Sequence, residues 1–137
     1  GGTVGWLPAG REIGTESITR LASGEVPDFR ELPSSFPAQM THRQSVLQPP
    51  PGAEVLARSQ RDPHQLLRYA PNALSSQFHP EFTPEFMRAY IEVRADTLRD
   101  EGLNPGMLLA DVRETEVARA LLERFAHAAL SRQRVAA

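Results

Sequence analysis

The sequence contains no cysteine among its 137 residues. A disulfide framework and a thiolate metal site are therefore excluded for these residues. No apolar run approaches the ~20 residues that a membrane-spanning helix needs. The first residues, GGTVG, have neither the basic region nor the apolar stretch of a signal peptide. We therefore expect a cytoplasmic protein, and we expect the sequence to begin within a longer chain.

A strong charge of either sign is also lacking. Fifteen basic and 17 acidic residues give a net charge of −2. This balance gives no reason to expect nucleic acid or an anionic membrane as a partner. Hydrophobic residues make up 40% of the sequence, which is enough for a core, and the length suits one domain or part of one.

Proline, by contrast, is abundant, with 12 residues that cluster at positions 33–51 and 80–84. The first two-thirds of the chain is therefore predicted to form short strands and loops rather than long helices. The segments predicted to be extended are residues 3–7, 16–21 and 53–59, and one helical turn is predicted at residues 28–32. Two further short runs, residues 65–69 and 73–78, are joined by Ala70-Pro71-Asn72, a pattern typical of a β-hairpin.

The last third of the sequence is predicted to be helical. Thr83 is a suitable N-cap, and Pro84 fits the first helical position, where its missing N–H is not needed. Apolar side chains follow at three- and four-residue spacing, namely Met87, Tyr90, Ile91 and Leu98. Gly102 is the expected end of this helix, followed by a turn at residues 104–106. A final helix is predicted at residues 115–130, with an apolar face formed by Val117, Leu121, Leu122, Phe125 and Ala129.

The residues that point to chemistry are His79 and Glu81. A short apolar strand ends at His79, Pro80 fixes the backbone, and Glu81 lies two residues further on. An imidazole beside a carboxylate can take a proton from a thiol or hydroxyl while the carboxylate orients the ring. The residues alone leave two alternatives open. The pair could be ordinary surface polarity, or it could bind a metal with His42, His64 or His127, although no helix-borne ligand spacing favours a metal.

Several segments in order carry a resemblance to a known family. The segment QFHPEF at residues 77–82 resembles the signature near the end of class I glutamine amidotransferase domains. Upstream, the segments GGTV, EIG, MTHRQSV and PPGAEVLARS resemble family segments in the same order. The resemblance covers about residues 1–82, and residues 83–137 are interpreted as a C-terminal helical elaboration of one domain. It implies an α/β, flavodoxin-like fold with a mostly parallel central sheet, of which this chain supplies the C-terminal strands and terminal helices.

The resemblance also implies an activity. A cysteine thiolate upstream of this chain would attack the side-chain amide of glutamine. His79 would then be the general base and acid, and Glu81 its orienting partner. Substrate contacts are implied at Thr41, Arg43 and Gln44, mainly through the backbone, while His42 either shapes the turn or contacts the ligand. No cofactor or metal is implied, and the ammonia would pass to a synthetase domain or subunit.

Two alternative functions remain open at this point. One is a γ-glutamyl peptide hydrolase that uses the same triad, and the other is a catalytically inactive binding module. A Cys-Gly-x-Gln segment upstream of Gly1 would favour an enzyme. On its own, the present chain is expected to have no glutaminase activity. In the fold, the ring of His79 is expected within hydrogen-bonding distance of Glu81, with its other nitrogen facing an open cleft.

Overall fold

The structure is a computed structural model that describes residues 1–21 and 32–135. The described strands are β1 (Thr3–Trp6), β2 (Gly14–Arg20), β3 (Ser35–Met40), β4 (Gln44–Gln48), β5 (Glu54–Arg58), β6 (Leu66–Ala70) and β7 (Ala73–Ser76). The described helices are α1 (Pro84–Val93), α2 (Ala95–Asp100), α3 (Pro105–Asp111) and α4 (Glu116–Val135). The helical turn predicted at residues 28–32 lies, apart from its last residue, outside the described residues.

The strands form a five-stranded sheet and a separate ribbon. The sheet has the order β3-β2-β5-β6-β7, and the ribbon pairs β1 with β4. Every strand pair within the described ranges is antiparallel. The predicted hairpin is confirmed as β6 and β7, with Ala70 opposite Ala73. The parallel strands expected of the complete fold are thus not among the strand pairs that the structure describes.

Strand β3 contains a proline, Pro37, which pairs with Ser17 of β2. Because β3 lies at the end of the strand order, its outer edge has no described strand to which a backbone N–H must donate. A proline can therefore be accommodated in β3, although the prolines at residues 33–51 favoured loops in the sequence. Its last residues, Ala38, Gln39 and Met40, are fully buried. Strand β3 thus emerges from the core at the turn that carries Thr41 and His42.

Two hydrophobic clusters form the core. The first lies between the five-stranded sheet and α4, and its buried members are Ile18, Leu32, Phe36, Ala38, Met40, Leu56, Ala57, Leu66, Phe78 and Ala118. The second lies under the shorter helices, and its buried members are Ile13, Met87, Ile91, Leu98 and Val112. Phe78 in the first cluster and Phe82 beside the second lie on either side of the segment that carries His79.

The helices follow the sequence signals in part. The hydroxyl of Thr83 accepts a hydrogen bond from the N–H of Phe86 and caps α1, as predicted. The predicted single helix is divided at Arg94, whose guanidinium lies 3.7 Å from the ring centroid of Tyr90. Gly102 has a φ of 78° and ends α2. Among the described helices, none has the length and apolarity to cross a membrane.

The prediction was wrong for one helix and for part of a face. Residues 104–106, predicted as a turn, form the start of α3. The side chain of Asn104 caps this helix by accepting from the N–H groups of Gly106 and Met107. On α4, Val117 and Leu121 pack against the first cluster as predicted. Three members of the predicted apolar face, Leu122, Phe125 and Ala129, are instead exposed because the sheet contacts only one side of the helix.

Candidate active site

The backbone of His79 is fixed by strand β3. The N–H of His79 donates to the carbonyl of Gln39 at 2.8 Å, and the two residues form an isolated antiparallel bridge. The preceding residue, Phe78, is buried and packs edge-on against Phe36, with ring centroids 6.1 Å apart. His79 therefore stands at the boundary where the core ends and the surface begins, on a backbone that cannot easily shift.

The side chain of His79 contacts Glu81 at the predicted place. Its Nδ1 lies 2.8 Å from Glu81 Oε1. One face of the imidazole stacks on Phe82, with ring centroids 4.3 Å apart and planes inclined by 20°. Phe82 in turn packs against Phe86 of α1, at 4.3 Å between centroids. The ring is thus oriented at its edge by a carboxylate and on its face by an aromatic side chain.

The other ring nitrogen of His79 contacts Thr41. Their Oγ1 and Nε2 atoms are 2.8 Å apart. The expectation that this nitrogen faces an open cleft stays a prediction: a hydroxyl lies next to the nitrogen, and the side chain of His79 is 34% exposed. A hydroxyl both donates and accepts. It can remain hydrogen-bonded to Nε2 whether that nitrogen carries a lone pair or a proton.

The other two residues predicted to bind substrate are not in contact with His79. Arg43 lies over the ring of Trp6, with its guanidinium carbon 4.9 Å from the centroid, and is 3.6 Å from a carboxylate oxygen of Glu101. Gln44 begins β4, and its carbonyl accepts from the side chain of Gln77 at 3.5 Å. Of the three predicted residues, Thr41 alone has a recorded contact with the His79 ring in the described part of the chain.

A cleft of about 380 Å³ opens beside the β1–β4 ribbon. It is lined by Trp6, Leu7, Ala9, Gly10, Arg11, Arg43, Arg61, Glu101 and Leu103. Its arginines are already engaged. Arg11 pairs with Glu101 at 2.9 Å, and Arg61 donates to the carbonyl of Arg11 at 3.0 Å. These arginines are therefore bound to acidic side chains and carbonyl groups of the protein itself.

A buried ion cluster, formed by Glu12, His42 and Asp62, includes the residue that follows Thr41 in the chain. Nε2 of His42 is 3.2 Å from Glu12 Oε2 and 3.2 Å from Asp62 Oδ2. The ring is 12% exposed, and the two carboxylates are 1% and 0% exposed. Burial alone would favour the neutral ring, but the carboxylates of Asp62 and Glu12 outweigh it and raise the pKa of His42 to about 9.

Both carboxylates of the cluster are held by neighbouring side chains. Ser59 and Gln65 each donate to Glu12 at 2.5 Å. Ser45 donates to Asp62 at 2.6 Å, and the N–H of His64 donates to the same carboxylate at 2.8 Å. Burial opposes ionisation of Asp62, but the ion pair with His42 and the hydrogen bonds from Ser45 and from the N–H of His64 lower the pKa of that carboxyl below its ordinary value. The cluster is therefore a charged and hydrogen-bonded group at neutral pH.

The donor set of this cluster also bears on metal binding. One atom from each of its three residues lies within 4.8 Å of the others, which is close enough for a small cation. The two oxygens that face His42 already accept hydrogen bonds from Gln65 and Ser45. The two carboxylates favour a proton on Nε2, and a metal would have to displace that proton to reach the lone pair. The cluster is therefore better described as an ion pair network.

Glu12 and Asp62 could not be identified as site residues from the sequence. They lie 30 and 20 positions from His42 in the chain, and no short motif joins them. The metal alternative based on His79 is not supported by the geometry either. His42 faces the buried ion cluster, and Nδ1 of His64 contacts the carbonyl of Val46 at 2.5 Å. His127 is exposed on α4.

The sequence and structure are similar to known proteins. Residues 3–94 match the family described as Glutamine amidotransferase class-I. A GMP synthase (glutamine-hydrolyzing) of Thermomicrobium roseum is 38% identical over 71 residues, which are 52% of this chain and 13% of that protein. Gamma-glutamyl peptidase 5 of Arabidopsis thaliana is 30% identical over 95 residues, which are 67% of this chain and 38% of that protein.

Solved structures extend the likeness to most of the chain. A glutamine amidotransferase from Thermotoga maritima gives a TM-score of 0.71 at 27% identity, covering 91% of this chain and 53% of that one. A glutamine amidotransferase from Methylobacillus flagellatus gives 0.66 at 21% identity, covering 92% and 52%, and supports the fold alone. The chain spans about half of each structure and less than half of each curated relative. It has the flavodoxin-like α/β fold of these structures and belongs to the class-I glutamine amidotransferase family.

Proposed function

We propose that the protein hydrolyses the side-chain amide of glutamine by a Cys-His-Glu triad and supplies the ammonia to an acceptor. His79 is the general base and acid, and Glu81 orients it. The sequence contains no cysteine. The nucleophile is therefore contributed by residues outside this sequence. The observation that carries the proposal is the 2.8 Å contact between Nδ1 of His79 and Glu81, with the His79 backbone fixed by Gln39.

In this proposal each ring nitrogen of His79 has a separate task. Because Glu81 accepts from Nδ1–H, Nε2 is the nitrogen that takes the proton from the thiol. The thiolate then attacks the amide carbon, and the same proton leaves on ammonia as the thioester forms. Water next attacks the thioester, with His79 taking its proton and returning it to the departing thiol. The Thr41 hydroxyl can donate to neutral Nε2 before the thiol approaches, and it must turn aside for the proton transfer because that nitrogen has a single lone pair.

Partners and substrate follow from the same proposal. Glutamine is the substrate, and a synthetase domain or subunit is the acceptor of ammonia. The support is the similarity to a protein named GMP synthase (glutamine-hydrolyzing), although only 13% of that protein is matched. Thr41 acts in this proposal as a partner of His79. Arg43 and Gln44 contribute to substrate binding through the backbone of the turn that they share with Thr41.

The experiment is an ammonia-release assay on the full-length protein with glutamine as substrate. We expect turnover by the full-length protein and none by residues 1–137 alone. Replacing His79 by Asn in the full-length protein should abolish turnover while the protein still folds. Turnover by residues 1–137 would show that the nucleophile has been misidentified. Full activity of the His79→Asn variant would exclude His79 as the base.

A second candidate is hydrolysis of γ-glutamyl peptides by the same triad. The observation that favours it is the 30% identity to gamma-glutamyl peptidase 5 over 67% of this chain. Both reactions pass through a γ-glutamyl thioester, and they differ in the leaving group. Comparing kcat/KM for glutamine with kcat/KM for γ-glutamyl-alanine would decide between them. Preference for the dipeptide by tenfold or more would replace the glutaminase assignment.

A third outcome is a binding module without catalysis. A chloroketone analogue of glutamine distinguishes it, because such a reagent alkylates a thiolate positioned for attack. Stoichiometric labelling of one cysteine, protected by glutamine, supports the enzyme. If glutamine binds but no residue is labelled and no ammonia appears, the full-length protein is a binding module.

A further inference from the structure

The turn that follows β3 connects the candidate active site to the buried ion cluster. Gln39, near the end of β3, binds the backbone of His79, and Thr41, the first residue of the turn, contacts the ring of His79. The next residue, His42, enters the cluster between Glu12 and Asp62. The carbonyl of His42 also accepts from the N–H of Glu12 at 3.1 Å. Four consecutive positions thus join the surface histidine to a buried charge network.

We propose that His42 is a positioning residue, which holds Thr41 against His79 by fixing this turn between Glu12 and Asp62. The inference rests on the function proposed above for His79. The buried ion cluster would then support the active site without contacting the substrate or taking part in the chemical steps. His42 itself acts through Thr41 and does not touch the reacting atoms.

The charges in the cluster explain why the turn is held in one place. Two buried carboxylates converge on the same ring nitrogen, Nε2 of His42, each at 3.2 Å. Without a positive ring between them, they would repel each other in a weakly screened environment. Ser45 of β4, together with Ser59 and Gln65 from the segment between β5 and β6, fixes both carboxylates. The ring can therefore satisfy both carboxylates in one position, and that position determines where Thr41 lies.

The alternative is that the cluster only stabilises the fold. Thr41 would then keep its contact with His79 whenever the protein is folded. The two ideas differ in whether removal of His42 changes His79 in a variant that remains folded. They also differ in whether that change passes through the Thr41 hydroxyl. Thr41→Val removes this hydroxyl at nearly constant shape, so it isolates the contact.

The first test uses residues 1–137 and is independent of activity. Ring nitrogen resonances of the four histidines are recorded by NMR in ¹⁵N-labelled protein. We expect the His79 Nε2 resonance to move in Thr41→Val and to move in the same direction in His42→Gln. The matched control is His127→Gln, which removes an exposed histidine of α4. An unchanged His79 resonance in folded His42→Gln would overturn the proposal.

The second test is a double-mutant cycle in the full-length protein. A misplaced catalytic group lowers kcat, and we expect a loss of about 10- to 100-fold in Thr41→Val and in His42→Gln, with KM changed less than threefold. The double variant should be no slower than the slower single variant, because both remove the same contact. Losses that multiply would show that His42 acts independently of Thr41. If wild type has no activity, the proposed function fails while the NMR result still stands.

A milder variant covers the case in which His42→Gln does not fold. Asp62→Asn keeps the shape of the side chain and leaves one carboxylate for the positive ring. We expect it to move the His79 resonance in the same direction by a smaller amount. No movement in folded Asp62→Asn would contradict the proposal. Titration with ZnCl₂ should leave the His42 resonances unchanged, and stoichiometric zinc-induced shifts would identify a metal site in place of the ion pair.

Discussion

His79 has a different kind of partner at each ring nitrogen. Glu81 on Nδ1 is about half exposed, and Thr41 on Nε2 is partly buried at the end of β3. An exposed carboxylate beside an imidazole contributes little to stability because water and salt screen it. The contribution of Glu81 is therefore to orient the ring and select its tautomer. This role should be visible in rate rather than in folding.

The first prediction follows from that role. In the full-length protein, Glu81→Gln keeps the shape of the side chain but removes the charge that stabilises a protonated ring. We expect kcat for glutamine to fall by about 10²–10⁴-fold, with little change in thermal stability. The matched control is Glu92→Gln, since Glu92 is exposed on α1. A kcat within threefold of wild type for Glu81→Gln would remove Glu81 from the triad.

The second prediction concerns the buried ion cluster. The carboxylates of Asp62 and Glu12 raise the pKa of His42 from 6.5 to about 9. The charged ring is therefore favoured in the folded state, and this stabilisation is fully present below pH 6.5. It is lost as the pH rises through 9. We expect the free energy of unfolding to fall by roughly 1–3 kcal/mol across this range.

Urea unfolding of residues 1–137 at pH 6, 7.5 and 9.5 measures this dependence. His42→Gln should be less stable at pH 6 and should lose the decline between pH 6.5 and 9. His127→Gln should retain it. A wild-type stability that is level or rising between pH 7 and 9.5 would contradict the assignment of a positive charge to His42.

At the scale of elements, α1 supports the active-site segment. Phe82, which stacks on His79, precedes the helix and packs on Phe86 in its first turn. Thr83 accepts from the N–H of Phe86 at 3.2 Å and fixes this first turn. Buried Met87 and Ile91 attach the helix to the second hydrophobic cluster. The orientation of the His79 ring therefore depends on a helix start as well as on its own hydrogen bonds.

The third prediction tests that helix start. Thr83→Ala leaves the N–H of Phe86 without its capping partner and should destabilise the protein by about 1 kcal/mol. The matched control is Thr97→Ala in the exposed interior of α2, where alanine favours the helix slightly. Urea unfolding of both variants measures the difference. Equal stability of the two variants would show that the Thr83 hydroxyl does not cap α1.

Turns, helix starts and contacts between residues that are near in the chain could be predicted from the sequence. The Pro71-Asn72 turn, the Thr83-Pro84 helix start and the contact between His79 and Glu81 each span a few residues. The helix α3 was missed because Asn104-Pro105-Gly106 is typical of a turn. Here Asn104 caps a helix of seven residues whose start tolerates the glycine.

Contacts between distant parts of the chain could not be predicted. Thr41 and His79 are 38 positions apart, and their contact depends on the bridge that places β3 beside residue 79. Glu12 and Asp62 join His42 only after β2, β3 and β5 have assembled into one region of the fold. The resemblance identified the turn that carries Thr41, but it gave no reason to expect a buried imidazolium next to that residue.

At the scale of the whole molecule, the β1–β4 ribbon presents an apolar surface to solvent. Val4 is 66% exposed and Trp6 is 62% exposed, on alternate positions of the same strand. Leu47 of β4 adds to this surface at 41% exposure. Apolar side chains grouped in this way commonly mark a surface that contacts another part of the protein or a partner. The proposed function requires a nucleophile-bearing segment outside this sequence, and that segment is the expected cover.

The last prediction uses the fluorescence of Trp6, which is the single tryptophan of the sequence. In residues 1–137 we expect emission typical of a hydrated indole and ready quenching by acrylamide. In the full-length protein, with any other tryptophan replaced by Phe, the emission maximum should move to shorter wavelength, and the quenching constant should fall by about half or more. The reason is that burial against an apolar segment removes water from the ring.

A matched control places the probe elsewhere on the surface. Trp6→Phe combined with Val93→Trp reports from the end of α1, where Val93 is 82% exposed. This control should give the same emission and the same quenching in residues 1–137 and in the full-length protein. A shift of Trp6 alone would locate the cover on the β1–β4 ribbon. Unchanged emission from Trp6 would show that the proposed nucleophile-bearing segment leaves this ribbon open, so that Val4, Trp6 and Leu47 would remain available to a partner.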